Sequence, residues 1–412
     1  MAEAKVSLEP APLLRDQPDT KSLHIWPLLG LIAGLRAITS ILGLLLFGFV
    51  TYAASNISLW PPGDQLALWF DRFLVKPWLR WDANFYVRIA GDGYLQSSPS
   101  LAFHPLYPML GRSIAALLGI HPLPALLILS TFVTAALLPL FERLALLDLD
   151  AQAALRSTIL LALSPVSFVL LAPYSEGLFL LITTLALFWS RQGRWWLAGL
   201  AGFGAALTRQ QGVVLALPIL WEMAARIGWR GLLRRPAWWP TVVLPPMGMV
   251  LFIIYRAVIF NDVSIDWSSP NAIIYSLLIS PDAQEVASGQ RFLLPLHVLW
   301  LALQSPYAPL RSVVIDLGLG IGFVLLLLFG WRQLRPSYRI YSLAIVLLAF
   351  SYYNGHAHPL MALPRHLLLA VPLFMPLGVW VNTHRRLLLL LVVFIAGYIS
   401  LLGLYFLNGW VP

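Results

Sequence analysis

Apolar residues run along the chain in blocks long enough to be read as bilayer-crossing helices. Short polar turns between the blocks carry most of the charge. A membrane helix needs roughly 17–25 mostly apolar residues. Blocks of about that kind fall near 26–52, 123–144, 157–172, 177–190, 195–208, 212–225, 238–260, 312–331, 338–353, 366–381 and 386–407. The pattern predicts an all-α polytopic membrane protein with about 11 transmembrane helices, or up to 13 if segments 103–119 and 292–304 also cross. The first of these contains Pro105, Pro108 and Arg112, and the second is only about a dozen residues long. Both are read as juxtamembrane helices.

Composition removes the soluble alternatives. Of 412 residues, 59% are hydrophobic and 11% charged, whereas a soluble domain is about half apolar and a quarter charged. With no Cys there is no disulfide scaffold, and 17 Trp, 14 Tyr and 21 Phe exclude a disordered chain. The net charge of +9 does not point to nucleic acid, because the cations stand singly between apolar blocks. That arrangement suits loops facing anionic lipid headgroups. Residues 1–25 are expected to be a cytoplasmic tail, and 26–412 a single transmembrane domain. The apolar run from Trp26 to Tyr52 is too long for a signal-peptide core and is read as a retained anchor.

Charge bias orients the scheme. With the N-terminus inside, and with 103–119 and 292–304 not crossing, the inner loops collect Lys5, Arg15, Lys21, Arg143, Arg156, Arg191, Arg194, Arg226, Arg230, Arg234, Arg235, Arg332, Arg335, Arg339, Arg385 and Arg386. This agrees with the positive-inside rule, and a crossing at 103–119 would reverse it. The outer segments are then a long first loop (53–122), a second (261–311), and turns at 173–176, 209–211 and 354–365. They gather the acids Asp64, Asp71, Asp82, Asp92, Glu176, Asp262, Asp266, Asp282 and Glu285.

Within the first outer loop, Trp78 to Tyr94 reads as a short amphipathic helix with Phe85 and Ile89 on one face. Asp82 stands where an N-cap belongs, and Gly91-Asp92-Gly93 supplies the stop. Two readings stay open, and one residue could fill both roles. Asp82 caps a surface helix whose Trp78 and Trp81 sit in the interfacial aromatic belt, or it is a partly dehydrated carboxylate available as a base. The pair His356 and His358 lacks a matched third ligand, so no metal site is expected.

The run Trp81-Asp82-Ala-Asn-Phe-Tyr86-Val-Arg-Ile-Ala-Gly-Asp-Gly-Tyr94, followed by Phe103-His104-Pro105-Leu106-Tyr107-Pro108, resembles the PIG-V mannosyltransferase family. Further matches follow in order: Ser164-Pro165, then Ala172-Pro-Tyr174-Ser175-Glu176 leading to Phe179. Later come Gly193-Arg-Trp195, Leu207-Thr208-Arg209 with Gly212, and Leu363-Pro364-Arg365. The resemblance is good over about 78–218 and patchy near 363–374. Where the family usually has an aromatic, this chain has His104. Gln210-Gln211 replaces a Pro or Asn, and His366 stands where Tyr is common.

The resemblance implies a GT-C-type helical bundle and an inverting transfer of mannose, or a related hexose, on the non-cytoplasmic face. The donor would be a polyprenyl- or dolichyl-phosphate mannose, and the acceptor a lipid or glycan. The carrier lipid is a co-substrate, so no cofactor is expected. Asp82 becomes the candidate general base. Displacement at an anomeric carbon also needs a cation for the departing phosphate, for which Arg209 and Arg365 are candidates, although each could instead snorkel to the interface. Trp81, Tyr86, His104, Tyr107, Tyr174 and Glu176 complete the candidate substrate-binding set. Partners are thus the donor, the acceptor and membrane lipids, with no nucleic acid. The membrane would be the plasma membrane of a prokaryote or the endoplasmic reticulum of a eukaryote. The alternative is a transporter or flippase of a lipid-linked sugar. The absence of a visible internal repeat and the gathering of acids at one surface weigh against it.

Overall fold

A computed structural model describes residues 23–46, 74–95, 99–261, 267–270, 273, 290–305, 310–356 and 358–407. The tail cations Lys5, Arg15 and Lys21, the acids Asp64, Asp71, Asp262, Asp266, Asp282 and Glu285, and most of the second outer loop lie outside them.

The described chain is a helical bundle. Its principal helices are α1 (Ile25–Leu46), α2 (Asp82–Asp92), α3 (Leu106–Leu118), α4 (Pro122–Ala145), α5 (Ala151–Leu163), α6 (Glu176–Gln192), α7 (Trp195–Thr208) and α8 (Ala216–Ile227). After them come α9 (Trp239–Tyr255), α10 (Pro295–Gln304), α11 (Leu310–Gly330), α12 (Pro336–Phe350), α13 (Leu363–Leu368), α14 (Phe374–Trp380) and α15 (His384–Phe406). Two three-residue strands, β1 (Gln290–Phe292) and β2 (Tyr352–Asn354), pair antiparallel with Arg291 opposite Tyr353.

By length and composition, five of the described helical stretches can cross a membrane: Ile25–Leu46, Pro122–Ala145, Pro236–Phe260, Val313–Gly330 and His384–Phe406. Their outward faces are strongly apolar, as at Leu389, Val392 and Val393 on α15 or Met247, Val250 and Leu251 on α9. Such faces have no reason to be exposed except to lipid. The protein is an integral membrane protein.

Two of the expected spans are broken. The block 157–172 ends as α5 at Leu163 and continues through Ser164-Pro165 into a 3₁₀ turn, Ser167–Leu170. The block 366–381 divides into α13, a turn at Val371–Leu373 and α14. Pro165 and Pro372 each remove a backbone donor, and each disfavours helix in the residue before it. The chain recovers the length by packing these pieces in the interior, where α14 lies against α5 and α11.

The two doubtful segments form the short helices α3 and α10. Tyr107, near the start of α3, meets Ser130 of α4, and Gly111 packs on Leu126. The chain then turns at left-handed Gly119 straight into α4. So α3 runs beside only the first turns of α4. Around α10, Leu293 N–H donates to the Ser351 carbonyl, and Ser305 hydrogen-bonds the His356 carbonyl. Both ends of α10 are therefore pinned to the same edge.

Charged turns separate into two groups. The turns carrying Arg143, Arg191, Arg194, Arg226 and Arg335 meet at the end of the bundle reached by the C-termini of α4, α6 and α8. The N-terminus of α6, the C-terminus of α7, α2 and α13 meet at the other end. Deep in α1, Arg36 is held by Thr131, by the Leu171 carbonyl at 2.9 Å and by the face of Trp78. These contacts make it an internal tie.

Candidate active site

The site begins with Trp78, which is buried, against the reading that puts it in an interfacial aromatic belt. Its ring meets Phe406 edge-on at 5.0 Å, and its carbonyl accepts a hydrogen bond from Tyr405 at 2.8 Å. Anchored there, the chain turns sharply at Trp81, whose backbone is left-handed (φ 48°). Such a conformation costs a non-glycine residue about 1–3 kcal/mol. It starts α2 with Asp82 as the first helical residue. The N-cap reading of Asp82 therefore fails: Trp81 holds the cap position, and the Asp82 side chain is released sideways toward α13.

Opposite Asp82, another left-handed residue, Ala362 (φ 63°), starts α13 and sets Pro364 and Arg365 in its first turn. Arg365 Nη2 lies 2.7 Å from Asp82 Oδ2, and Arg365 Nε lies 3.2 Å from Glu176 Oε1. Glu176 is the first residue of α6 and is wholly buried. Its Oε1 is also 2.8 Å from Arg209 Nη1, at the C-terminus of α7. Four charged side chains from four elements thus form a quartet linked in the order Asp82, Arg365, Glu176, Arg209.

Arg209 reaches this position because the chain doubles back after it. The 3₁₀ turn Gln210–Leu215 folds so tightly against α7 that a Cβ at Gly212 would lie 2.2 Å from the Ala206 nitrogen. Only glycine permits that approach.

Aromatic and hydroxyl groups position the arginines. The Tyr174 ring lies under Arg365, 4.9 Å from its guanidinium carbon. Ser175 Oγ accepts from Arg209 Nη1 at 3.0 Å and shares a hydrogen bond with Tyr86 OH at 2.7 Å. Burial favours the neutral form of Arg365, but Asp82 and Glu176 outweigh it and hold the charge above the ordinary arginine value. Burial likewise pushes the Tyr86 hydroxyl up, only partly offset by Arg209, so it serves as a neutral hydrogen-bonding group.

The quartet is not fully hydrogen-bonded. Two arginines converge on Oε1 of Glu176, neither aligned as a hydrogen bond, while Oε2 has no hydrogen-bond partner among the described residues. The Asp82 side chain is 27% exposed, the most open member of the four. The arrangement offers a buried pair of cations able to exchange carboxylate for another oxyanion, next to an accessible carboxylate.

Of the residues singled out in the sequence, Asp82, Tyr86, Tyr174, Glu176, Arg209 and Arg365 come together, while Trp81 borders them, partly exposed. Neither arginine snorkels outward. His104 and Tyr107 lie behind the cluster. His104 Nδ1 donates to the Ala206 carbonyl at 2.6 Å, with its ring on Phe252. Burial, with Arg209 and Arg256 nearby, lowers its pKa to about 3 against the effect of that hydrogen bond. Tyr107 packs edge-on against Tyr86 at 5.1 Å. Among functional residues, sequence reasoning missed Ser175; its place between Tyr174 and Glu176 was the available signal.

Comparison with known proteins agrees with the motifs. The family model "Mannosyltransferase (PIG-V)" matches residues 35–221. GPI alpha-1,6-mannosyltransferase 2 of Rattus norvegicus is 33% identical over 150 residues, covering 33% of this chain and 29% of that protein, and the Mus musculus protein matches equally. Less than a third of those relatives' length is therefore spanned. Among solved structures, ArnT from Cupriavidus metallidurans bound to undecaprenyl phosphate aligns with a TM-score of 0.50 at 13% identity, over 88% of this chain and 62% of that one. The Archaeoglobus fulgidus oligosaccharyltransferase aligns at 0.47 and 14% identity, over 92% and 56%. The chain is thus PIG-V-like across residues 35–221, within the GT-C-type membrane fold that it shares with ArnT.

Proposed function

We propose that the protein is a mannosyltransferase that takes mannose, or a related hexose, from a polyprenyl- or dolichyl-phosphate donor and delivers it to a lipid or glycan hydroxyl. The observation that carries this reading is the quartet: a partly exposed carboxylate, Asp82, ion-paired at 2.7 Å to one of two buried arginines. The PIG-V match and the GPI mannosyltransferase relatives support the sugar, and ArnT, whose structure contains undecaprenyl phosphate, supports the carrier.

The donor phosphate binds between Arg209 and Arg365. It competes with Asp82 for Arg365 and so frees the carboxylate. The acceptor oxygen attacks the anomeric carbon while the carbon–oxygen bond to phosphate breaks. The electron pair of that bond goes to the phosphate oxygen, and the acceptor proton goes to Asp82. Attack opposite the leaving group inverts the anomeric centre. Growing negative charge on the leaving phosphate is met by guanidinium groups already in place, with Glu176 holding both of them. Tyr86 and Ser175 fix Arg209, and the Tyr174 ring fixes Arg365.

The site faces the non-cytoplasmic side, because the arginine-rich turns lie at the other end of the bundle. The chain has no Cys, so single cysteines at the exposed positions Asp92 and Arg234 test this with an impermeant maleimide. Asp92 labels in intact cells and Arg234 does not.

For the chemistry, purified protein is incubated with labelled polyprenyl-phosphate mannose and membrane extract, and the labelled product is identified. Asp82→Asn keeps the fold and lowers kcat about 10²–10⁴-fold, the usual contribution of a positioned base. Near-normal turnover in that variant removes Asp82 as the base.

A further inference from the structure

The last turn of α15 lies outside the residues matched by the PIG-V family model, 35–221, yet it backs the site. Tyr405, in that turn, is 1% exposed and reaches toward both partners of the Asp82–Arg365 pair. On one side its hydroxyl donates to the Trp78 carbonyl at 2.8 Å. On the other its ring meets the Tyr174 ring edge-on, with centroids 6.0 Å apart. The Tyr174 ring in turn lies 4.9 Å from the Arg365 guanidinium carbon.

The first of these contacts holds a strained turn. Trp81 has a φ of 48°, and a residue in such a conformation persists only where its surroundings over-determine it. Inside the turn, Arg80 N–H donates to the Trp78 carbonyl at 2.9 Å and Ala83 N–H to the Arg80 carbonyl at 3.0 Å. Those bonds are local, so they fix the shape of the turn but not its place in the bundle. Its place is set by bonds from elsewhere. The Tyr405 hydroxyl holds Trp78 at 2.8 Å, the Phe406 carbonyl accepts from Arg80 Nη2 at 3.4 Å, and the Tyr174 hydroxyl approaches the Arg80 carbonyl at 3.5 Å. Of these three, the Tyr405 bond is the shortest.

Tyr398, two turns earlier on α15, supplies the contrast. It is 2% exposed, and both tyrosine rings pack on Phe168, at 6.1 Å for Tyr398 and 5.6 Å for Tyr405. The Tyr398 hydroxyl has no hydrogen-bond partner among the described residues. Packing in this layer therefore does not by itself give a tyrosine hydroxyl a partner, and the bond from Tyr405 to the turn is a separate feature.

We propose that Tyr405 is a positioning residue for the transfer: its hydroxyl fixes the turn that aims Asp82, while its ring backs the Tyr174 ring beneath Arg365. One side chain on the C-terminal helix thereby sets the base and the phosphate-binding cation relative to each other. The proposal rests on the transferase reading, in which Asp82 is the base, and extends it to a helix that none of the sequence motifs reaches.

The test is steady-state transfer by the full chain in detergent micelles, with labelled polyprenyl-phosphate mannose as donor and a fixed, saturating amount of membrane extract as acceptor. Tyr405→Phe keeps the ring and removes only the hydroxyl. A misplacement of about 1 Å costs about 10²-fold, so a slackened turn lowers kcat about five- to fiftyfold and leaves the donor KM within about twofold. Tyr398→Phe, on the same helix, changes neither. When Asp82→Asn is already present, adding Tyr405→Phe lowers the residual rate no further, because the base it positions is gone. If Tyr405→Phe does not fold, Phe406→Leu takes its place with the same expectation, since it frees the other side of the Trp78 ring.

A lowered Tm with unchanged kcat makes Tyr405 a packing residue and overturns the proposal. An equal loss of rate from Tyr398→Phe does the same, as does an equal loss from Tyr405→Phe with and without the Asp82 carboxylate. Asp82→Asn alone separates this from the chemistry. Normal turnover by Tyr405→Phe beside a slow Asp82→Asn removes Tyr405 and leaves the base in place, whereas normal transfer by Asp82→Asn removes the base and the positioning role together.

Discussion

Both ends of the bundle bury acids against arginines, yet they do so differently. At the end opposite the site, Glu222 accepts from Arg335 Nε at 2.6 Å, from Arg335 Nη2 at 3.1 Å and from Ser337 Oγ at 2.6 Å. Nearby, Arg191 pairs with Asp148 and donates to Tyr338 at 2.9 Å. Each Glu222 oxygen has a partner, and the contacts tie α8 to the start of α12. At the site end two arginines crowd one oxygen of Glu176 while the other oxygen has no hydrogen-bond partner among the described residues. A buried carboxylate with its hydrogen bonds satisfied is a structural tie. One surrounded by cations but poorly hydrogen-bonded is the unfinished kind that native proteins retain where a ligand joins in.

The largest test of this contrast exchanges one arginine at each end. Arg365→Ala strips the quartet of the cation shared by Asp82 and Glu176, and lowers kcat about 10²–10³-fold, as loss of one transition-state donor does. It also leaves buried Glu176 partly uncompensated, a change worth about 3–5 kcal/mol in stability. Arg335 is itself 39% exposed, so Arg335→Ala costs less, about 1–3 kcal/mol for the acceptor it leaves behind. Turnover per folded molecule does not change. Thermal unfolding and radiolabel transfer on the same samples check both. Equal loss of turnover from the two variants erases the distinction.

The histidines extend the contrast to pH. At the opposite end, His24 Nδ1 lies 2.7 Å from the Glu142 carboxylate. At the site end, His104 lies against a carbonyl with arginines nearby, and its pKa is lowered to about 3. The folded chain therefore holds His104 neutral where the unfolded chain protonates it near 6.5. Stability from this group is complete above about pH 6.5 and falls as pH drops toward 3, by about 1.4 kcal/mol per pH unit. At pH 5 the loss is about 2 kcal/mol, with His366 contributing in the same direction. His104→Phe is expected to flatten the decline of Tm between pH 6.5 and 5. An unchanged slope refutes a buried neutral ring.

Much of the site was legible because its motifs are short and sit at the ends of apolar blocks. Asp82, Glu176, Arg209 and Arg365 each stand as a charge at such an end, and the resemblance, by implying a phosphate leaving group, is what pairs the two arginines with a phosphate. What the sequence hid depends on the chain leaving regular helix. Arg209 turns inward only because Gly212 lets the following turn collapse onto α7. Asp82 looked like a cap because caps are local, and its ion pair with Arg365 spans most of the chain. The blocks at 157–172 and 366–381 looked continuous because hydropathy registers apolar proline as one more core residue. His104 and Tyr107 belong to the same motif run as the site but face its supporting layer. Resemblance identifies a neighbourhood, and packing decides which side chains face the chemistry.

The smallest expected effect isolates the supporting hydroxyl. Ser175 Oγ joins Tyr86 to Arg209, at 2.7 and 3.0 Å, much as Ser337 Oγ joins its helix to Glu222 at the other end. Each bond is worth about 0.5–1.5 kcal/mol. If the site end is built for a ligand, the energy removed by Ser175→Ala appears in donor binding, because Arg209 loses its orientation. KM for polyprenyl-phosphate mannose then rises about two- to tenfold, while Tm shifts little. If Ser175 is a tie like Ser337, the same energy appears in Tm, and KM stays constant. Ser337→Ala is the control that should behave in the second way. A lowered Tm with unchanged KM in both variants makes the two ends equivalent, and the phosphate role of Arg209 then loses its support.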